Sequence, residues 1–321
     1  MRSADRLTLL LLAAVWGASF LFLRIAAPAV GPIALAALRG VGAALTLLPL
    51  VIWHGQLRAL GAVWPTVLVS SLLSCVLPFI GLSWAAQSLP AGPLSVLNAT
   101  TPMWGALVGW VWSREPLGVK RLSGLMLGTI GVIWLAEDRS GLGSALPPAA
   151  IAAALASTLM YAVAVHHSKK YLSGLPPLAV SAGLLSTTAA ILIGPALWLG
   201  PQPAPGLDST VREWADVPTS AWAALAGLAT ICTGVAYALF YRLIDRIGAS
   251  RALNVAFLIP PFGMLWGFLW LDEPISVTML ISTAVILLGT LLSTSGQPAS
   301  NHSPPPITEP GPLPLQPPIK P

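Results

Sequence analysis

Charge is what this chain has least of. Only 8% of its 321 residues are Asp, Glu, Lys or Arg, where a soluble domain carries roughly 25%, so an ordinary water-soluble globule is excluded. There are two cysteines, Cys75 and Cys232, both inside apolar runs. Ligands that isolated make neither a disulfide framework nor a metal site, and we read them as buried free thiols. The eleven carboxylates fall in loops, termini or the ends of apolar runs, leaving no acid or base inside them for an embedded enzyme. His166 and His167 are adjacent rather than spaced i, i+4, so they face different ways on a helix and share no metal. No Gly-Lys-Ser/Thr phosphate loop occurs, which excludes an ATP-driven pump. Neither a metal nor a cofactor is expected. The net charge of +5 is spread over loops with no basic stripe, so nucleic acid is not an expected partner.

What is present is apolar residue, 55% of the chain, with a mean hydropathy of +0.80. A spanning helix takes about 20 apolar residues, and the pattern predicts an all-α membrane protein of ten spans. They fall at 7–27, 32–53, 65–86, 91–112 and 119–136, then 145–165, 176–199, 218–242, 248–271 and 275–294. Residues 1–136 form a first five-helix unit, 137–144 a linker and 145–295 a second unit. In 297–321 ten of 25 residues are proline, so 296–321 reads as a disordered tail unable to bury a core.

The chain repeats itself. At an offset of 158, Pro102 meets Pro260, Gly105 meets Gly263, Gly109 meets Gly267, Trp112 meets Trp270, Glu115-Pro116 meets Glu273-Pro274 and Gly131 meets Gly289, without a gap. Sorting Lys and Arg by loop, with the N-terminus inside, places twelve on the cytoplasmic side and three outside, with Arg39 within a span. That bias predicts both termini cytoplasmic in a plasma (inner) membrane. Five spans per half then force the halves to enter the membrane from opposite sides. Inverted repeats with matching proline breaks are how secondary transporters build two gates around one site.

The run Val15-Trp16-Gly17-Ala18-Ser19-Phe20, with Ala37-Leu38-Arg39-Gly40, resembles the opening of an EamA-type protein of the drug/metabolite transporter superfamily. The repeat-closing pattern of proline, glycine-rich aromatic run, Glu-Pro turn and glycine-rich span, at 102–132 and again at 260–290, is similar to that family's. The resemblance implies ten helices in two inverted five-helix repeats and export of small metabolites or drugs. It names no substrate. A nucleotide-sugar or phosphate-ester exchanger is the alternative, but it calls for several Lys or Arg within the spans where this chain has one. A membrane-embedded enzyme is a distant third.

Arg39 lies seven residues beyond Pro32, about 10 Å deep at 1.5 Å per residue. A charge at depth costs a few kcal/mol, so it faces a cavity or a partner. It is read as a counter-charge for a substrate anion or as a structurally paired arginine. At an offset of 145 it meets Leu184, so one half alone carries it, while Trp16 meets Tyr161. A proline denies the carbonyl four residues back its donor, which frees Asn98 at Pro102 and Ala256 at Pro260, with Pro261 expected to sharpen the second break. Asn98, Thr101 and Asn254 beside those breaks, and Trp16, Ser19, Trp104, Tyr161 and Tyr237 around them, complete the cavity candidates. Most of the thirteen tryptophans are explained by the interfacial belt and packing. Glu115 and Glu273 are each expected to stabilise the helix that follows. The glycines at 105, 109, 124, 128 and 131 serve helix contact, within the chain or in a homodimer. A small-molecule substrate and membrane lipid are the remaining partners.

Overall fold

The computed structural model describes residues 2–61, 63–114, 116–138, 145–204 and 211–294. Glu115, most of the 137–144 linker and the 296–321 tail lie outside the described residues. Those described are helical, with no strand among them. The principal helices are α1 (Ser3–Val30), α2 (Pro32–Trp53), α3 (Trp64–Ala86), α4 (Ala91–Asn98), α5 (Thr101–Ser113), α6 (Val119–Ala136), α7 (Pro148–Tyr171), α8 (Pro177–Leu199), α9 (Thr219–Ile247), α10 (Val255–Leu271) and α11 (Val277–Thr294). Eight of these are long and apolar enough to cross a membrane, and α10 is a shorter apolar helix. Exposed tryptophans sit at helix ends, with Trp53 closing α2, Trp64 opening α3, Trp198 near the end of α8 and Trp270 near the end of α10, as amphipathic rings at a membrane interface do.

The helices pack in pairs drawn from different parts of the chain. The pairs are α6 with α11, α2 with α8, α1 with α10 and α9, α3 and α5 with α7, and α4 with α10. Glycine sets the closest approach between α6 and α11. A Cβ on Gly289 stands 2.6 Å from the Gly128 amide nitrogen, and one on Gly124 stands 2.5 Å from that of Ser293. These glycines are therefore used within the chain, while Gly105 has open space around it. Gly289→Val forces the pair apart and is expected to cost about 1–3 kcal/mol, read as a lowered Tm in detergent.

The two proline sites differ in the opposite sense to the expected one. The helix stops at Asn98 and restarts at Thr101, so Pro102 occupies a first turn, where its missing N–H costs nothing. Around Pro260 and Pro261 α10 is continuous. Hydroxyls account for the difference. Thr100 Oγ1 donates to Leu97 O at 2.7 Å and Thr101 Oγ1 to Asn98 O at 2.8 Å, so the chain can leave the helix there without stranding those carbonyls. The corresponding residues in the second half are Leu258 and Ile259, which carry no donor. There α10 runs on, although Pro260 and Pro261 leave the Ala256 and Phe257 carbonyls without their ladder donors.

α3 and α9 each contain a π-helical stretch, at Leu72–Val76 and Gly227–Val235. Cys75 and Cys232, both buried free thiols, lie one in each. Such turns displace side chains from the regular helical face and are frequent at functional sites.

Candidate functional site

Arg39 is half-buried on α2 and points into the bundle. Its Nε donates to Thr233 Oγ1 at 3.1 Å, and its guanidinium carbon stacks 3.9 Å above the Phe79 ring of α3. Thr233 is aimed by the π stretch of α9, where its hydroxyl donates to Leu228 O, five residues back, at 2.8 Å. Helices from different halves thus hold this charge. The two terminal amino groups of the guanidinium have no hydrogen-bond or ion-pair partner among the described residues.

Aromatic rings close the space around that charge. Tyr161 on α7 and Tyr237 on α9 are near enough to interact with the Arg39 charge, and their hydroxyls have no hydrogen-bond partner among the described residues. Trp16 on α1 meets Tyr237 edge-on at 6.4 Å and Phe240 at 5.0 Å. Ser19, one turn along α1 from Trp16, is buried and lies close to the Cys232 thiol. Four of the sequence candidates, Trp16, Arg39, Tyr161 and Tyr237, are therefore brought together, with Ser19 just behind them.

The remaining candidates are placed elsewhere. Asn98 and Thr101 are half-buried at the α4–α5 break. The Asn98 carbonyl that the proline frees is taken by the Thr101 hydroxyl. The break adjoins the Arg39 cluster through α7, since Thr100 Oγ1 lies 3.3 Å from Thr158 Oγ1, one turn from Tyr161 on the same face. Trp104 follows on α5 with its indole N–H buried and unpaired. Asn254 is exposed at the start of α10 and caps nothing with its side chain.

Glu273 corrects its sequence reading. Its carboxylate accepts the Ala91 N–H at 2.9 and 3.1 Å, so it caps α4 in the other half rather than the helix after it. Arg24 Nε stands 3.8 Å away and the same guanidinium donates to Ala86 O and Gln87 O at 3.1 and 2.9 Å. The geometry behind this is local. Asp272 ends α10 in a left-handed conformation (φ 53°), which turns the chain back, and the Glu273 amide donates to Gly267 O. Gly267 leaves the space, since a Cβ there stands 2.5 Å from Glu273 Oε2. The following helix α11 is capped instead by Ser276, whose Oγ accepts the Met279 N–H at 2.9 Å and is itself bonded to Asp138. Burial pushes the Glu273 carboxyl above the usual carboxylate range, against the opposing pull of the α4 amides and Arg24.

The same end of the bundle thus gathers Arg24, Gln87, Asp138, Glu273 and Ser276. At the opposite end Arg246 stands 4.0 Å from Asp5 and His167 Nδ1 lies 2.8 Å from Ser70 Oγ. No group of three or more potential metal ligands occurs among the described residues. A groove of about 400 Å³ runs between α2, α3 and α8, lined by Leu48, Leu60, Trp64 and Val67, with Ser186 and Thr187 as its polar members. It carries no charge to hold an ion, so we centre the site on Arg39.

Phe79, Thr233, Phe240 and Tyr241 were not among the sequence candidates. Tyr241, whose hydroxyl lies 2.5 Å from Ser181 Oγ, was within reach, because it repeats Tyr237 four residues on. Thr233 was not, because its orientation depends on a π stretch with no local signature.

The model of the EamA-like transporter family matches residues 6–136 and 148–295. The chain is 24% identical over 287 residues to the uncharacterized transporter YvbV of Bacillus subtilis, covering 89% of this chain and 90% of the relative. It is 23% identical over 297 residues to a protein of Escherichia coli described as a "Probable amino-acid metabolite efflux pump", covering 92% and 96%. A solved crystal structure 20% identical in sequence superposes with a TM-score of 0.62 over 92% of this chain and 97% of that one, which bears on the fold alone. Two matched blocks filling most of the chain, an all-helical bundle and eight membrane-length helices agree: the chain is a multi-pass membrane protein and belongs to the EamA-like transporter family, within the drug/metabolite transporter superfamily.

Proposed function

We propose that this protein is a secondary transporter that exports small metabolites, amino-acid-like or otherwise amphipathic, or drugs, by alternating access around Arg39. Ten spans follow if α4 and α5 are one span broken at Ala99–Thr100, five in each half. The packing pairs support two related halves. Exchanging the first five spans for the last five turns α1 against α9 into α7 against α3, and α1 against α10 into α7 against the broken α4–α5 span. The pairs α2 with α8 and α6 with α11 map onto themselves. The charge bias of twelve against three supports a reading in which both termini are cytoplasmic, Arg24 and Glu273 lie at the outer mouth and the Asp5–Arg246 tie lies at the inner one.

The observation that carries the reading is Arg39, a deep charge held between helices of both halves with its outer donors unpaired. The family match favours transport over catalysis. A phosphate exchanger would need more than one cation. The test is untargeted metabolite profiling of medium from cells overproducing the protein, beside cells overproducing Arg39→Ala at equal level. Accumulation of one metabolite class outside only with the intact protein is expected. No difference from cells lacking the protein would overturn export of an ordinary metabolite.

A further inference from the structure

Resting on the transporter assignment, we propose that the Arg39 site takes one carboxylate carried on an apolar body, and prefers it without an adjacent ammonium group. The donors are those an anion needs. Nε is spent on Thr233, which orients the guanidinium, and stacking on Phe79 fixes its plane. The two terminal amino groups and the hydroxyls of Tyr161 and Tyr237 have no partner among the described residues. A planar guanidinium fork matches the two oxygens of a carboxylate in bidentate fashion.

Charge balance narrows the class. The described carboxylates all lie in turns or near helix ends, among them Asp5 beside Arg246 at one end of the bundle, and Glu273 beside Arg24 and Asp138 bonded to Ser276 at the other. Among the described residues the centre therefore carries one positive charge, and a monoanion neutralises it. A phosphate ester brings more negative charge than a single arginine offsets. An α-amino acid brings an ammonium within a few ångströms of the guanidinium, where like charge repels it and no acid on the surrounding spans receives it. The Phe79 face is already occupied by Arg39 itself. Trp16, Tyr161, Tyr237 and Phe240 supply the surface for an apolar or aromatic body.

Four probes of one skeleton separate these features: 3-phenylpropanoate, L-phenylalanine, methyl 3-phenylpropanoate and phenethylamine. Binding to the purified full-length protein in detergent is read by calorimetry and by quenching of tryptophan fluorescence. The carboxylate is expected to bind about 30-fold or more tightly than the other three, and Arg39→Gln to lose it by a similar factor. Arg39→Lys keeps the charge but not the fork and should fall between. Tyr161→Phe and Tyr237→Phe, which keep the rings, should each cost about fivefold and carry the test if Arg39→Gln does not fold. Phenylalanine or the ester binding as tightly as the carboxylate would overturn the inference, as would undiminished binding by Arg39→Gln or binding of none of the four at millimolar concentration. Binding and export fail separately. A cell that exports a zwitterion through a protein deaf to the carboxylate sinks the cargo class and leaves the transporter, whereas carboxylate binding with no export of anything does the reverse.

Discussion

Arg39→Met is expected to reduce export about 10–100-fold while leaving the Tm unchanged or raised. The first half of that expectation follows from a charge-assisted hydrogen bond to the cargo, worth about 1.5–3 kcal/mol. The second follows from the cost of the charge itself. A guanidinium at this depth costs about 2.5–3.5 kcal/mol on insertion scales. Its stack on Phe79 returns about 0.5–2 kcal/mol, and the bond to Thr233 returns about 1.5–3 kcal/mol. Those terms nearly cancel, and methionine fills similar space without the desolvation. An arginine kept only to brace α2 against α9 would behave differently, because its loss would lower the Tm along with activity. Flux and thermal unfolding measured on the same preparation distinguish the two.

Glu273→Ala is expected to loosen the end of the bundle that Arg24 and Glu273 close. The substitution strands the Ala91 N–H at the start of α4 and removes the carboxylate beside Arg24. An unpaired buried donor costs about 1–3 kcal/mol, so the open population at this end should grow about 5–150-fold. Gly267→Ala acts on the same contact from α10 by pushing a methyl group against Glu273 Oε2, and should shift the population in the same direction. The readout is the rate at which a membrane-impermeant maleimide reaches Leu89→Cys, buried in the turn before α4, in a chain whose Cys75 and Cys232 are replaced by serine. Unchanged labelling in both variants would mean that this contact is not a gate.

Proton linkage gives the same contact a sign. The carboxyl is raised in the latched state by burial, whereas in a hydrated, released state it returns to the ordinary carboxylate value. Protons therefore bind the latched state better. The latch is strongest below the ordinary carboxylate range and weakens as pH rises through the raised value. The charged and polar groups that face it are Arg24 from α1, Gln87 from the turn before α4, and Asp138 with Ser276 close by. A spin label at Ser88→Cys should become more mobile as pH rises, and Glu273→Gln should remove that response.

Much of this was legible in the sequence because it is local or repeated. The offset of 158 found both proline sites, and depth along α2 singled out Arg39. The 145 offset paired Trp16 with Tyr161, residues now placed on two walls around the same charge. What was illegible depends on partners distant in sequence or on backbone detail. Glu273 caps a helix 182 residues away, and nothing in its own turn distinguishes that helix from the one that follows it. The contrast between a broken first span and a continuous α10 turns on Thr100 and Thr101, whose hydroxyls take up carbonyls that Leu258 and Ile259 could not. Thr233 reaches Arg39 only because α9 takes a π stretch there.

The central claim is that the two halves enter the membrane from opposite sides, since two gates around one site require it. The position after α2 and the position after α8 are equivalents in the two halves, and both His54 and Gln202 are exposed. Single cysteines, His54→Cys and Gln202→Cys, placed in a chain with Cys75→Ser and Cys232→Ser, are labelled with a membrane-impermeant maleimide in intact cells and again after the cells are opened. The account predicts that Gln202→Cys labels in intact cells and His54→Cys only after opening. Labelling of both from the same side would contradict it, and alternating access around Arg39 would go with it.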